Sequence, residues 1–368
     1  MSLNTGRLNV LVGANACGKS TVLQTMLLLR QSRGTAGEVH RLQLSGGLFE
    51  AGTVRDVLHP EARAGIELGI RTREYYSQTL FSPEVPGEVD ARQLIAGAPL
   101  RLPPPLLDES GQGFAYLNAE RIGPRVVYQL PRPGDILTGP VGARGEFTTA
   151  FLARCRQSNR AASGNWFRLL QQTAEHMPED LVLDEGSEKN LTRLDLAVKQ
   201  VLAWIVPGID FETSEQNPID SAQLSYIRDP SGTRTQVRPT HMGFGVSYSL
   251  PLIAAGIALS ELGLLLVENP EAHLQPLSQS RMGIFLALVA SRGTQVFAET
   301  HSDHLVNGVR LAVKNHLLGA QEVRFFYFTK RRGDDSSSVR ELAVLPDGNL
   351  SAWPEGFFDQ IERDLARL

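Results

Sequence analysis

The sequence predicts an α/β protein whose core is a mainly parallel sheet. The run "LNVLV" at 8–12 is short and wholly apolar, which is typical of a strand buried on both faces. After Gly243, long helical patterns alternate with three more apolar runs at 262–267, 294–298 and 323–328. A glycine-rich loop lies between the first strand and the first helical pattern. Such a loop is common where a parallel sheet binds phosphate.

The same patterns predict how the chain is divided. We expect the core at both ends, in residues 1–60, which carry the loop, and in residues 241–368. Short apolar runs separated by Gly and Pro predict a mixed β and loop lobe at 61–145. Residues 146–240 combine helical periodicity with alternating strands around the turn "DPSG", and predict a helical and hairpin insertion.

Composition excludes some classes of protein. The net charge of the 368 residues is −4, with 36 basic and 40 acidic residues, which argues against general attraction to nucleic acid. Two cysteines cannot form a disulfide framework. The apolar stretch at 248–267 is interrupted by Pro251 and Glu261, so a buried helix and a core strand explain it better than a membrane span. We expect a cytoplasmic protein with no membrane partner.

The segment "GANACGKS" at 13–20 matches G-x-x-x-x-G-K-[ST] at every fixed position. Main-chain N–H groups of such a loop hold phosphates, helped by the following helix N-terminus. Lys19 is predicted to reach the β- and γ-phosphates, and the Ser20 hydroxyl group to hold Mg²⁺. The cofactors expected from this loop are ATP and Mg²⁺. The predicted ATP-binding residues are Gly13, Ala14, Asn15, Ala16, Cys17, Gly18, Lys19, Ser20 and Thr21.

The segment "LLLVENPEAHLQP" at 264–276 has the form of a Walker B strand. Glu268 ends the apolar run and is predicted to bind Mg²⁺ through water. Asn269 stands where many ABC-type ATPases carry a second carboxylate, and its amide can orient water but cannot accept a proton. Glu271 either replaces the missing base or caps the next helix, and the residues leave both alternatives open.

Two more segments follow the order of an ABC-type head. "HMGFGVSYSLPLI" at 241–253 begins a long helix, and Gly243, Gly245 and Ser247 are predicted to contact the γ-phosphate bound by a second subunit. "TQVFAETHSDHL" at 294–305 is a second strand, which is followed by a histidine. This residue, His301, is predicted to contact the γ-phosphate.

Together, these four segments resemble the predicted-ATPase branch of the ABC/SMC-like head proteins. That branch is grouped with bacterial AAA-type predicted ATPases and with the ATPase domain of overcoming-lysogenization-defect nucleases. The resemblance implies an ABC-type head fold, ATP and Mg²⁺, and a homodimer with two nucleotides in its interface. Members typically have an extra strand before the loop that helps hold adenine, whereas this sequence starts close to the loop. The sequence therefore leaves open how adenine is held. We expect no appended Toprim nuclease, because only 67 residues follow His301.

Three functions are compatible with these motifs. An ATPase without a strong base is expected to be slow rather than inactive, because general-base help contributes roughly 10²–10⁴-fold. A nucleotide-gated scaffold with negligible hydrolysis is the second alternative, and Asn269 favours it. A metal-dependent hydrolase would use His301, Asp303 and His304, whose spacing fits no standard metal motif.

The sequence gives less information about a binding partner than about the nucleotide site. The resemblance implies a DNA-related or defence-related process with a nuclease or another protein. The segment "FYFTKRRG" at 326–333 mixes aromatic and basic residues, as DNA-binding segments do, but it also fits a solvated hairpin.

Overall fold

The computed structural model describes the chain except residues 60–61, 63–64, 133–134, 178–180, 182, 184–186, 217–219, 229–233, 331–335, 355–356, 359–364, 366 and 368. The strands are β1 (Leu8–Gly13), β2 (Glu38–Gln43), β3 (Ile66–Arg71), β4 (Tyr76–Ser82), β5 (Gln93–Arg101), β6 (Phe114–Leu117), β7 (Val127–Gln129), β8 (Ile209–Gln216), β9 (Ser221–Arg228), β10 (Thr235–Val237), β11 (Leu264–Glu268), β12 (Gln295–Glu299), β13 (Val323–Lys330) and β14 (Ser337–Ala343). The helices are α1 (Lys19–Gln31), α2 (Val54–Val57), α3 (Pro104–Leu107), α4 (Thr148–Gln157), α5 (Trp166–His176), α6 (Ser187–Asn190), α7 (Leu194–Ile205), α8 (Phe244–Ala258), α9 (Pro276–Ser291) and α10 (Asp303–Lys314). The predicted turn "DPSG" lies outside the described residues.

The chain forms two compact units, residues 1–19 with 114–368, and residues 20–113. The larger unit contains a six-stranded sheet in the order β14-β13-β1-β12-β11-β6. All its neighbouring strands are parallel except β13 and β14. The predicted mainly parallel α/β core is therefore confirmed. The division into four segments at 60, 145 and 240 stays a prediction.

The sheet order explains why motifs from distant parts of the sequence meet. Parallel strands end at a common edge, and ligands of open α/β sheets bind outside that edge. Gly13 ends β1, Glu268 ends β11 and Glu299 ends β12, and the last two are directly opposite each other across the strand pair. The phosphate loop and the acid strand therefore share one edge.

Helices α8, α9 and α10 pack in the same unit and fix the chain after β12. Added Cβ atoms would lie 1.9 Å from the Ser280 carbonyl oxygen at Gly308, and 2.2 Å from the Leu305 carbonyl oxygen at Gly283. Only glycine permits this approach of the two backbones. Ser302 caps α10 by accepting a hydrogen bond from the Leu305 N–H. These contacts fix the position of the turn that carries His301.

The predicted buried helix and core strand at 248–267 are confirmed as α8 followed by β11. In the part of the chain that the structure describes, no helix is both long enough and apolar enough to cross a membrane. The strand begins at Leu264 rather than at 262, because Leu262 is 82% exposed in the turn before it.

A second sheet in this unit is antiparallel, with β9 paired to β7, β8 and β10. Helices α4 and α7 pack against it. Within the described residues of 146–240, α4, α5, α6 and α7 come first and β8, β9 and β10 follow them. Trp166 of α5 stacks on Phe285 of α9, with ring centroids 5.7 Å apart.

The smaller unit contains an antiparallel sheet in the order β2-β5-β4-β3, together with α1 from Ser20 onwards. Arg30 of α1 is 1% exposed, and its guanidinium donates hydrogen bonds to the Leu106 and Asp108 carbonyl oxygens. Burial lowers the pKa of Arg30 to about 10. Strands β3, β4 and β5 lie within the range 61–145, for which a mixed β and loop lobe is predicted, and that lobe stays a prediction.

Candidate nucleotide-binding site

The phosphate loop leaves β1 at Gly13, where φ is +138°. A Cβ atom there would lie 2.2 Å from the Phe328 carbonyl oxygen, so only glycine allows β13 to approach the loop. Ala14, Asn15 and Ala16 are exposed. These three residues of the loop are therefore accessible to a phosphate group.

Lys19 is 3% exposed, and its side chain is turned back into the loop. Its Nζ atom donates hydrogen bonds to the carbonyl oxygens of Gly13 at 3.0 Å and Ala14 at 2.7 Å. The Cys17 thiol is also internal and donates to the Ala14 oxygen. Ser20 and Thr21 follow Lys19 in the first turn of α1. The ammonium group is thus held inside the predicted loop.

Glu299 is a site residue that the sequence analysis missed. It ends β12, is 6% exposed, and its Oε1 atom lies 3.9 Å from Lys19 Nζ. An acid at the end of a second buried strand was the available signal, since Glu268 had been identified by the same feature. A buried ion pair is costly unless its members are well paired, so its position here indicates a charged site rather than a source of stability.

Glu268 ends β11, and both of its carboxylate oxygens accept hydrogen bonds. The donors are the Tyr116 hydroxyl group at 2.9 Å from Oε1 and the Ala119 N–H at 3.2 Å from Oε2. Burial raises the pKa of Glu268, and the two hydrogen bonds oppose that shift. Tyr116 and Ala119 could not be identified beforehand, because the pairing of β6 with β11 is not visible in the sequence.

Asn269 has a left-handed backbone, with φ of +45°. Its N–H donates to the Glu299 carbonyl oxygen at 2.8 Å. Its side-chain Oδ1 atom is buried and has no hydrogen-bond partner in the described protein. Asparagine is among the few residues that adopt this conformation readily. Backbone geometry thus gives a physical reason for Asn at this position.

Glu271 does not cap the following helix. The N-cap residue of α9 is Gln275, and no side chain caps that end. Instead, Glu271 Oε1 accepts a hydrogen bond from the His301 N–H at 2.8 Å. Its Oε2 atom is buried, and no described residue bonds to it. His301 itself is exposed. The structure therefore joins two of the predicted catalytic residues.

Arg121 is 2% exposed and lies beneath this turn. Its Nη2 atom donates to the Glu268 carbonyl oxygen at 2.6 Å, and Nη1 to that of Asn269 at 3.1 Å. Burial lowers the pKa of Arg121 to about 10. The sequence analysis identified neither this buried position nor the contacts of Arg121 with the acid strand.

The predicted signature residues lie at the start of α8 and differ in exposure. Gly243 is the exposed N-cap residue. A Cβ atom at Gly245 would lie 2.4 Å from the His273 carbonyl oxygen, so this glycine packs against the turn after β11. Ser247 is 6% exposed, and its hydroxyl group lies near that of Tyr226. In the single chain, only Gly243 is open to a second subunit.

The donor set at this edge fits Mg²⁺ better than a metal held by several side chains. Within the described ranges, no group of three or more His, Cys, Asp and Glu residues is placed to hold a metal ion. Carboxylate and amide oxygens suit Mg²⁺, which keeps several of its waters. The buried Oδ1 of Asn269 and Oε2 of Glu271, to which no described residue bonds, fit such waters. Among the described residues, His301, Asp303 and His304 do not form the cluster that a transition-metal hydrolase would need.

Solved structures of SMC head domains are similar to this chain at low sequence identity. An Smc head domain with an extended coiled coil, bound to the C-terminal domain of ScpA and derived from Pyrococcus furiosus, is 15% identical over 99% of this chain and 94% of that chain, with a TM-score of 0.46. The SMC head domain from Thermotoga maritima is 11% identical over 92% and 91%, with a TM-score of 0.38. The comparison with curated proteins gave no match.

Two family models match the sequence. Residues 318–368 match a family described as "Protein of unknown function (DUF3696)". Residues 8–110 and 165–307 match the family described as "AAA domain, putative AbiEii toxin, Type IV TA system". The second match covers β1, the phosphate loop, the acid strand and His301. The chain therefore belongs to this AAA domain family, as its resemblance to AAA-type ATPases predicts.

Proposed function

We propose that this protein binds Mg-ATP at the loop of residues 13–21 and hydrolyses it slowly. The observation that supports this best is the position of Lys19, buried inside the loop and beside Glu299. On binding, Lys19 would exchange the Gly13 and Ala14 carbonyl oxygens for oxygens of the β- and γ-phosphates. Charge-assisted hydrogen bonds to phosphate are stronger than those to carbonyl groups.

Ser20 and Glu268 are the residues proposed to hold Mg²⁺, Glu268 through water. The bound ion would neutralise charge on the phosphates. The hydrogen bonds from Tyr116 and Ala119 hold the Glu268 carboxylate in one orientation. His301, at the end of β12, is proposed to contact the γ-phosphate.

Glu271 is proposed to be the general base. One of its oxygens is held by the His301 N–H, and the other is buried without a partner among the described residues. The second oxygen can accept a proton from an attacking water, which the Asn269 amide would orient. The hydrogen bond from the His301 N–H holds this base in place. Glu271 nevertheless lies two residues after position 269, where many ABC-type ATPases carry their base, and this difference supports slow turnover.

We further propose a homodimer in the ATP-bound state. Gly243 would contact the γ-phosphate of the second subunit, with the α8 N-terminus supplying N–H donors. The two other predicted signature residues, Gly245 and Ser247, are buried and would act only by fixing the start of α8. The matched family is described by a toxin–antitoxin system, which supports a defence-related process. A nuclease or another protein partner, and DNA, remain proposals from the sequence resemblance. A cytoplasmic location is proposed on the same basis.

Steady-state ATP turnover of wild type, Glu271→Gln and Asn269→Glu tests this function. We expect measurable turnover in wild type, its loss in Glu271→Gln, and unchanged ATP affinity in both variants. A gain in Asn269→Glu would show that Asn269 limits the rate. Binding without turnover in all three proteins would instead support the nucleotide-gated scaffold, which the Asn269 side chain favours.

Lys19→Ala tests the binding step separately, by calorimetric titration with ATP and Mg²⁺. We expect ATP affinity to fall by roughly 10–100-fold, because a hydrogen bond to a charged group contributes about 1.5–3 kcal/mol. Unchanged affinity would contradict the assignment of the loop.

A further inference from the structure

Arg121 holds the main chain of the acid strand where that strand ends. Its guanidinium donates one hydrogen bond to each of two consecutive carbonyl groups, those of Glu268 and Asn269. The planar fork of arginine suits two acceptors at fixed spacing, which the single ammonium of lysine does not reproduce. These two residues would provide the metal-binding carboxylate and the water-orienting amide of the proposed reaction.

The segment that carries Arg121 is itself fixed. Its Asn118 N–H donates to the Ala143 carbonyl oxygen and its Ile122 N–H to that of Arg144. Within the same segment, the Ala119 N–H donates to the Glu268 side chain. Residues 119–121 therefore bond to Glu268 in two places, its side-chain carboxylate and its main-chain carbonyl group.

The turn at Asn269 requires such support. Its left-handed φ of +45° costs most residues about 1–2 kcal/mol, and asparagine reduces but does not remove that cost. Three hydrogen bonds hold its main chain, from Arg121 and the Ala272 N–H to its oxygen, and from its N–H to Glu299. Arg121 is the only one of these contacts made by a side chain.

We propose that Arg121 is a positioning residue of the ATP site, which sets the orientation of Glu268 and Asn269 without touching the nucleotide. This inference rests on the proposed function. A structural role alone would stabilise the fold, whereas a positioning role also predicts a specific loss in the rate of phosphoryl transfer.

Arg292 supplies a matched control. It is also largely buried, its Nη atoms donate to the Gly256 and Leu259 carbonyl oxygens at 3.0 and 2.8 Å, and burial lowers its pKa to about 10. Those carbonyl groups lie at the C-terminal end of α8, whereas Gly243 is at its N-terminal end. Replacing either arginine therefore removes two hydrogen bonds to main-chain carbonyl groups. Only at Arg121 do these bonds hold the acid strand.

The experiment compares wild type with Arg121→Met, Arg121→Lys, Arg292→Met and Arg292→Lys. Urea unfolding gives the folded fraction, and all rates are corrected for it. For Arg121→Met we expect kcat to fall by roughly 10–100-fold with KM within about threefold, because small misplacements of reacting groups cost rates of that size. Arg121→Lys should recover part of kcat. Both Arg292 variants should keep kcat within about twofold.

Hydrogen exchange of peptides covering 264–275 gives a readout that does not need turnover. It should become faster in Arg121→Met and stay at the wild-type rate in Arg292→Met. Equal kcat losses at the two arginines, or unchanged exchange in Arg121→Met, would overturn the inference. If wild type binds ATP without hydrolysing it, the proposed function fails, and the exchange comparison still decides whether Arg121 positions the turn.

Discussion

The carboxylate of Glu271 accepts a hydrogen bond from the His301 main-chain N–H, with Oε1 and N 2.8 Å apart. This bond connects the turn after β11 to the turn after β12. The two turns are therefore joined by this hydrogen bond. The residue proposed as base and the residue proposed to contact the γ-phosphate are thus in direct contact.

This link allows the two roles considered for Glu271 to be separated. Glu271→Gln keeps an oxygen that can accept from the His301 N–H, whereas Glu271→Ala does not. We expect kcat to fall by roughly 10²-fold or more in both variants, because a general base contributes 10²–10⁴-fold. Only the alanine variant should also lose about 1 kcal/mol of unfolding free energy in urea. Normal turnover in Glu271→Gln would show that Glu271 is not the base and only holds the His301 N–H.

The left-handed backbone of Asn269 predicts a difference between two simple replacements. Asn269→Gly and Asn269→Ala both remove the amide, but only glycine adopts φ near +45° without a steric cost. The alanine variant should be less stable than the glycine variant by about 1–2 kcal/mol, measured by urea denaturation. Equal stability of the two would show that the turn relaxes easily.

The same geometry changes how a carboxylate is best introduced at position 269. Aspartate tolerates left-handed backbone better than glutamate does. We therefore expect Asn269→Asp to be more stable than Asn269→Glu. A gain in ATP turnover would then be easier to detect in the aspartate variant, because more of it is folded. The measurement is kcat per folded molecule for both variants. A stability order opposite to this one would contradict the backbone explanation.

The hydrogen bond from Tyr116 to Glu268 predicts a change in pH dependence. Burial raises the pKa of Glu268, and the Tyr116 hydroxyl group opposes that shift by favouring the ionised carboxylate. In Tyr116→Phe the pKa of Glu268 should rise further. Since protonation removes the charge that would hold Mg²⁺, kcat should be lost at a higher pH than in wild type as the solution is acidified.

The matched control for this prediction is Tyr128→Phe. Tyr128 is another buried tyrosine, and its hydroxyl group accepts a hydrogen bond from the Arg125 N–H, away from Glu268. The acid limb of its pH–rate profile should stay where it is in wild type. Identical limbs in all three proteins would mean that Glu268 does not control the rate.

Exposure identifies the best position for testing the proposed dimer. Ser247 is buried, so Ser247→Arg would disturb the fold of a single chain. At Gly243 an added Cβ meets no atom within 4 Å, and Asp and Asn are both favourable N-cap residues. We expect Gly243→Asp to abolish ATP-dependent dimerisation, because its charge would face a γ-phosphate. Gly243→Asn should dimerise normally, as measured by sedimentation.

Equal dimerisation of the Asp and Asn variants would argue against a phosphate facing Gly243. Loss in both would indicate that the main chain of glycine, rather than the charge, matters at this position. Monomer stability should be unchanged in either variant, and urea unfolding checks it.

The sequence by itself determined the features that depend on local pattern. A buried strand, the spacing of the glycines and Lys19 in "GANACGKS", and the alternation after Gly243 were sufficient for the mainly parallel α/β core and for the AAA family. These features are visible because side chains close in sequence form one strand, loop or helix turn. Glu268 was identified in the same way, as the acid that ends a buried strand.

Only the tertiary structure decided which side chains surround that acid. Tyr116 and Arg121 reach it because β6 pairs with β11, although they are 152 and 147 residues distant along the chain. Strand pairing of this kind depends on how the whole chain packs, and no local pattern encodes it. The left-handed turn at Asn269 and the bond between Glu271 and His301 follow from the same packing, since both arise where separate strands end at a shared edge of the sheet.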